Sequence, residues 1–212
     1  MTITIYGDLR TGVFAVEAAL AEAGADYAFE RISLRDRAQK SPAFLAINPA
    51  GKVPALRWAD GTLLTESVAI LLAIAERFPQ AALLPPPASD ARAQACRWLV
   101  FMACEIYPMV EIADYPERFV PAGEPAQALR ETVRARIREN LLLVEAAFAG
   151  PWCLGDAFSL ADIYAVMFTR WTDDIGKAWL AEGHLPKLLA AGVALSQRPR
   201  IAPVWARHFA ND

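Results

Sequence analysis

The sequence predicts a mixed α/β domain followed by an all-helical one, and three features carry that expectation. Through about residue 79, short runs that alternate like strands trade places with runs of helical period. The stretch Pro79-Gln80-Ala81-Ala82-Leu83-Leu84-Pro85-Pro86-Pro87 can continue neither a helix nor a sheet ladder, because its prolines lack the donor that both require. After it, every apolar stretch repeats at helical spacing. The expected boundaries are therefore 1–79, a proline-rich linker over 80–88, and 89–212.

Taken in order, Thr2–Tyr6 alternates as a strand, Gly12 to Ala23 has helical period, and Tyr27–Ser33 reads as a second strand. A short helix is expected around Pro42–Ile47, strands over Pro54–Trp58 and Thr62–Leu64, and a helix from Glu66 to Phe78. The order is β-α-β-α-β-β-α. A strand, crossover helix and strand give a right-handed parallel pair, and Ala59-Asp60-Gly61 offers the Asp-Gly turn of a hairpin, so a mixed four-stranded sheet results.

Beyond the linker, helices are expected over Ser89–Tyr107, Pro125–Phe148, Leu160–Asp174, Lys187–Gln197 and Ile201–Phe209. Ser159 and Asp162 stand at the spacing of a capping box, with Phe158 and Ile163 at the staple positions before an apolar helix. That pattern points to stability rather than chemistry. Arg130, Arg134, Arg136 and Arg138, interleaved with Glu131 and Glu139, read as a solvated helix face.

Composition removes several function classes. The 212 residues are 55% apolar and 21% charged, enough to bury a core, and 21 Lys+Arg against 24 Asp+Glu leave no basic field for nucleic acid. No apolar run approaches the ~18 residues of a membrane span. Thr2-Ile3-Thr4-Ile5-Tyr6-Gly7 reaches a turn too soon for a leader peptide, so the mature protein is expected to start near Met1. Cys96, Cys104 and Cys153 are odd in number and lack a CxxC, which speaks against a disulfide framework or a metal site and for a reducing cytoplasm. Cys104 and Cys153 lie in apolar context and read as small core residues. His184 and His208 read as surface or capping residues, not bases.

Four segments in order resemble the cytosolic, bacterial-type glutathione transferase family. They are Ile5-Tyr6-Gly7-Asp8-Leu9-Arg10-Thr11-Gly12, Phe44-Leu45-Ala46-Ile47-Asn48-Pro49-Ala50-Gly51-Lys52-Val53-Pro54-Ala55-Leu56, Leu64-Thr65-Glu66-Ser67-Val68-Ala69-Ile70, and Leu154-Gly155-Asp156-Ala157-Phe158-Ser159-Leu160-Ala161-Asp162. The resemblance implies a thioredoxin-like first domain that binds glutathione and a helical second domain that carries the site for an electrophile. It implies a cis Val53-Pro54 peptide whose valine backbone pairs with the cysteinyl unit of glutathione. It also implies that Ser67 holds the γ-glutamyl carboxylate while Glu66 faces the ammonium. On the residues alone, Thr65 could equally cap the helix and Glu66 only complement its dipole.

Activation of the thiol falls to a hydroxyl. Lowering a thiol pKa from about 8.5 to about 6.5 takes roughly 2.7 kcal/mol, and one hydrogen bond to a charged acceptor supplies ~1.5–3 kcal/mol. Thr11 is the candidate, being the sole Ser, Thr or Cys between Tyr6 and Gly24. The alternative is that it is simply an N-cap, with Tyr6 as the remaining hydroxyl. Many bacterial members have Ser-Gly-Asn-Cys where this chain has Thr11-Gly12-Val13-Phe14, so two polar side chains are missing beside the thiol. Lys52 and Gln39 or Lys40 are candidates for the glycine carboxylate. For the electrophile pocket the candidates are Trp98, Met102, Tyr107, Tyr115, Phe119 and Trp171, with Tyr107 and Tyr115 preferred because a Tyr-Pro pair interrupts a helix at each, and with Phe14 beside them. The expected reaction is attack of the glutathione thiolate on a hydrophobic electrophile, in a homodimer, with glutathione as co-substrate and no metal. The alternatives are a noncatalytic interaction module of the same fold, or a glutathione-dependent disulfide reductase or isomerase.

Overall fold

In the computed structural model, which describes residues 2–209, the chain separates into two units, one of residues 2–84 with 194–209 and one of residues 85–193. The last segment thus groups with the first unit, whereas the sequence assigns it to the helical domain. Its arginines and histidine meet acidic groups on the first long helix, a long-range pairing that local patterning does not reveal.

The first unit is built on a sheet of order β2-β1-β3-β4, formed by β1 (Ile3–Gly7), β2 (Tyr27–Arg31), β3 (Ala55–Arg57) and β4 (Leu63–Thr65). β1 and β2 run parallel, joined through helix α1 (Val13–Ala23), while β3 is antiparallel to both β1 and β4. The hairpin turn closes on Asp60, whose Oδ1 accepts from the Thr62 amide at 2.8 Å. α1 lies close on the sheet because residue 7 is glycine: a Cβ there would fall 2.4 Å from that of Val13. The short α2 (Pro42–Leu45) starts at Ser41, whose hydroxyl accepts from the Phe44 amide. α3 (Ser67–Arg77) follows β4 directly.

The helical unit begins with α4 (Asp90–Phe101), capped by Ser89, and continues through a wide π turn at Met102–Ile106 into α5 (Tyr107–Asp114). The sequence expects one helix ending near Tyr107. Instead Tyr107 N–H reaches back five residues to Met102 carbonyl, and the wider turn accommodates Pro108, which has no amide to donate. The second break, at Tyr115-Pro116, does end the helix.

α6 (Glu124–Ala147) and the apolar α7 (Leu160–Thr169) form the middle of this unit, followed by α8 (Thr172–Ile175), α9 (Lys177–Ala181) and α10 (Pro186–Ser196). α11 (Ala202–Phe209) belongs to the first unit. The expected helix over Leu160–Asp174 is two pieces. Three of the four arginines expected on a solvated face anchor loops: Arg130 Nε donates to Ala113 carbonyl, Arg134 Nη2 to Asp173 carbonyl and Arg138 Nε to Ile175 carbonyl. These bonds satisfy carbonyls at or beside the ends of α5 and α8.

The capping box is present. Asp162 is fully buried, and its carboxylate accepts from the Ser159 amide at 2.7 Å, the Ser159 hydroxyl at 3.1 Å and the Cys153 amide at 2.6 Å. Burial pushes its carboxyl up to about 6, against the pull of these donors. The third donor lies outside the capping-box pattern and ties the irregular segment before α7 to that helix's first turn. Cys153 is buried as expected, its thiol pushed up to about 12 by burial and by Asp162, but Cys104 is exposed on the π turn. Among the described residues, no helix is long and apolar enough to cross a membrane.

Candidate active site

Tyr6, Ala55 and Thr65 stand in one row across β1, β3 and β4. That register decides where the candidate residues go. The chain leaves β1 just past this row into the Asp8–Gly12 turn, enters β3 from Val53-Pro54, and leaves β4 into Glu66-Ser67. Three segments therefore emerge at one end of the sheet on adjacent strands, about 4.8 Å apart per strand.

The first segment is pinned by Asp8, which is buried and accepts from Leu9 and Leu34 amides at 3.0 and 2.8 Å and from Arg31 Nε at 2.8 Å. Burial raises its carboxyl, but those donors outweigh it and hold the group below its ordinary value. Thr11, half-buried, donates its hydroxyl proton to Asp8 carbonyl at 2.7 Å and accepts weakly from the Val13 amide at 3.4 Å. Its proton is thus engaged within the turn, one residue before the N-cap Gly12 of α1. Tyr6 is buried in a cluster with Ile32, Phe44 and Ala55. Burial raises its phenol, partly offset by Arg57. The remaining hydroxyl of the sequence thus belongs to a packed core side chain.

The second segment carries the expected cis peptide at Val53-Pro54. Val53 packs half-buried against the same cluster and precedes the ladder, which starts at Ala55. The loop before it is shaped by buried Asn48, whose Nδ2 donates to Lys52 carbonyl at 2.7 Å and whose Oδ1 accepts from the Ala50 amide at 3.1 Å. Lys40 reaches this loop, its Nζ donating to Ala50 carbonyl at 3.2 Å. A Cβ at Gly51, where φ is +58°, would meet that Nζ and the Gln39 carbonyl. The structure thus brings Lys40 beside the loop that holds Lys52.

The third segment is the entry to α3. Its N-cap is Glu66, not Thr65, and no side chain caps the helix. Thr65 is consumed by the ladder, which removes the capping alternative. Glu66 holds φ +63° and ψ 111°, a conformation that costs a non-glycine residue of order 1–3 kcal/mol and concentrates at ligand sites. Ser67, buried, is the first helical residue, so its amide belongs to the donors at the positive end of α3.

In the helical unit, Tyr107 is half-buried against Tyr164, Phe168 and Trp171, with ring centroids 6.4, 5.9 and 5.3 Å away. Tyr115 is exposed, with the Arg118 guanidinium 3.8 Å above its ring. Phe119 is exposed as well, whereas Trp98 and Met102 are core. Phe14 corrects the sequence expectation: fully buried, it packs edge-on against Trp205, His208 and Phe209, so it has no surface to offer an electrophile.

The histidines diverge too. His184 is exposed and stacked on Trp179. His208 is buried beside Glu17 and bonded to the Arg10 amide, neither surface nor cap. A signal was available in the sequence: Glu17 is the one charged residue in the apolar run from Val13 to Leu20, and a carboxylate in such a helix needs a partner. Among the described residues, no group of three or more His, Cys, Asp or Glu is placed to hold a metal ion.

Comparison with known proteins finds one family over both parts of the chain. Residues 14–77 match the family model described as glutathione S-transferase, N-terminal domain, and residues 127–209 match that of the C-terminal domain. Glutathione S-transferase GstA of Escherichia coli O157:H7 is 35% identical over 158 residues, covering 72% of this chain and 73% of that protein. Maleylacetoacetate isomerase of Pseudomonas aeruginosa is 35% identical over 201 residues, covering 92% and 84%. A glutathione transferase homolog from Sulfitobacter, crystallised with bound glutathione, superposes with a TM-score of 0.85 at 30% identity, covering 97% of this chain and 98% of that one.

Proposed function

Because the chain belongs to the glutathione S-transferase family, and is on that ground a glutathione transferase, we propose that its specific reaction is attack of the glutathione thiolate on a hydrophobic electrophile. The observation that carries this reading is the row Tyr6, Ala55 and Thr65, which brings the Thr11 turn, the cis Val53-Pro54 peptide and the uncapped N-terminus of α3 to one end of the sheet. The Val53 backbone pairs with the cysteinyl unit as an added strand does. Ser67 and the first turn of α3 hold the γ-glutamyl carboxylate, Glu66 faces its ammonium, and Lys40 and Lys52 serve the glycine carboxylate.

Thr11 turns its hydroxyl from the Asp8 carbonyl to the sulfur and, with the positive end of α1, stabilises the thiolate. The sulfur lone pair forms the new bond to carbon. In a substitution the leaving group departs with its bonding electrons; in an addition the product takes up a proton. Tyr107 and Tyr115 are the proposed aromatic contacts for the electrophile. The working form is a cytoplasmic homodimer that acts in detoxification, its mass readable by light scattering.

A second reading draws on the maleylacetoacetate isomerase relative: the same thiolate adds to a cis double bond and leaves after rotation, so glutathione is required but not consumed. Turnover assays separate the two. With an aryl halide, a transferase releases halide and consumes glutathione one for one; with a cis-enedione acid, an isomerase needs glutathione and leaves its concentration unchanged. Reduction of a mixed disulfide tests the reductase alternative. Glutathione binding without turnover of any of these would establish a noncatalytic module.

A further inference from the structure

Glu17 lies fully buried in the middle of α1. Tyr27 hydroxyl donates to its Oε1 at 3.0 Å, Arg207 Nη2 sits 2.5 Å from the same oxygen, and His208 Nε2 stands 2.8 Å from Oε2. The other ring nitrogen, Nδ1, accepts the backbone N–H of Arg10 at 3.1 Å. An amide can only donate, so Nδ1 carries the lone pair and the ring proton is on Nε2, facing the carboxylate. Both neighbours select one neutral tautomer. Phe14, Phe29 and Phe209 surround the ring, with centroids 5.4, 6.3 and 5.8 Å away.

The residue held by this ring is Arg10, whose φ of +63° is a left-handed conformation that surroundings must impose on a residue other than glycine. Arg10 directly precedes Thr11. We infer that His208 is a positioning residue for thiol activation: through Nδ1 it holds Arg10 in that conformation and thereby sets the Thr11 hydroxyl and the first turn of α1, while Glu17 fixes its tautomer. The C-terminal helix α11 is on this account part of the catalytic apparatus without touching glutathione. The inference rests on the assignment of Thr11 above.

Two substitutions separate positioning from stability. His208→Gln keeps an amide nitrogen at the reach of Nε2, toward Glu17, but offers no acceptor at the Nδ1 position. His208→Asn keeps an oxygen near Nδ1 and is too short to meet Glu17. His208→Gln should raise the pKa of the bound thiol by about one unit and lower kcat/KM at neutral pH about tenfold, with calorimetric affinity for glutathione changed less than about twofold. His208→Asn should recover most of that rate even where its melting temperature is the lower of the two. Equal thiol titrations in His208→Gln and the unmodified protein, or losses in both variants that follow melting temperature alone, would overturn the inference.

Amide resonances of the same variants supply a readout besides activity. In His208→Gln the Arg10 and Thr11 amide resonances should move, because the acceptor of the Arg10 amide is gone, whereas in His208→Asn they should stay close to their positions in the unmodified protein. Arg10 and Thr11 amides that are unmoved in His208→Gln would again overturn the inference. An unchanged thiol pKa in Thr11→Val, with the Arg10 amide still moved by His208→Gln, would sink the Thr11 assignment alone. An intact protein that binds no glutathione would overturn both.

Discussion

Replacing Thr11 by valine keeps volume and branching and deletes the hydroxyl. A hydrogen bond to the thiolate is worth ~1.5–3 kcal/mol, but the hydroxyl must first leave the Asp8 carbonyl it meets at 2.7 Å, which forgoes about 1 kcal/mol. The net stabilisation is about 0.5–2 kcal/mol, equivalent to a rise of roughly 0.4–1.5 units in the thiol pKa. Below that pKa the rate should fall about 2- to 30-fold and recover as base is added, because the missing thiolate can be restored by pH. The lost bond to Asp8 should lower the melting temperature by about 2–4 °C. The assays are ultraviolet titration of the bound thiol and the pH profile of aryl halide turnover. Thr11→Ser should stay close to the unmodified protein in both. A melting temperature lowered as expected with an unmoved thiol titration would refute the reasoning and leave Thr11 as a helix cap.

Asp162→Ala removes the acceptor of three donors in a buried site and should cost about 3 kcal/mol or more, read as a fall of roughly 6–12 °C in melting temperature. Asp8 has a folded-state pKa below its unfolded value, so its contribution is fully present above about pH 4 and is lost as pH falls through the folded value; Asp8→Asn should flatten that acid-side decline in chemical denaturation. Cys104 is exposed and Cys153 buried with its thiol pushed up to about 12. A thiol reagent should therefore modify Cys104 in the native protein and Cys153 only on unfolding.

What was legible in the sequence was local. Glu66-Ser67 and Ser159 with Asp162 each place chemistry within a few residues of the backbone they shape, and the structure finds the helix start and the capping box there, while the cis Val53-Pro54 peptide it also finds was implied by the family resemblance and not by the local residues. The errors came from distance along the chain. His208 and Glu17 meet across 191 residues, and the helix that buries Phe14 is the last one, so Phe14 looked like a free apolar residue beside the thiol. The division of the long helices escaped for a different reason: apolar periodicity runs through Met102–Ile106 unbroken, and only the missing amide of Pro108 hints at the wider turn. Glu17, alone in an apolar run, was the one clue to the buried pair.

The most direct measurement is a calorimetric titration with glutathione of the intact protein and of the double variant Glu66→Ala, Ser67→Ala. If the end of the sheet defined by Tyr6, Ala55 and Thr65 is a glutathione clamp, the intact protein binds one tripeptide per chain at millimolar or lower concentration and the double variant, still folded by circular dichroism, binds none. A folded double variant that binds as well as the intact protein, or an intact protein that shows no binding, would contradict the account.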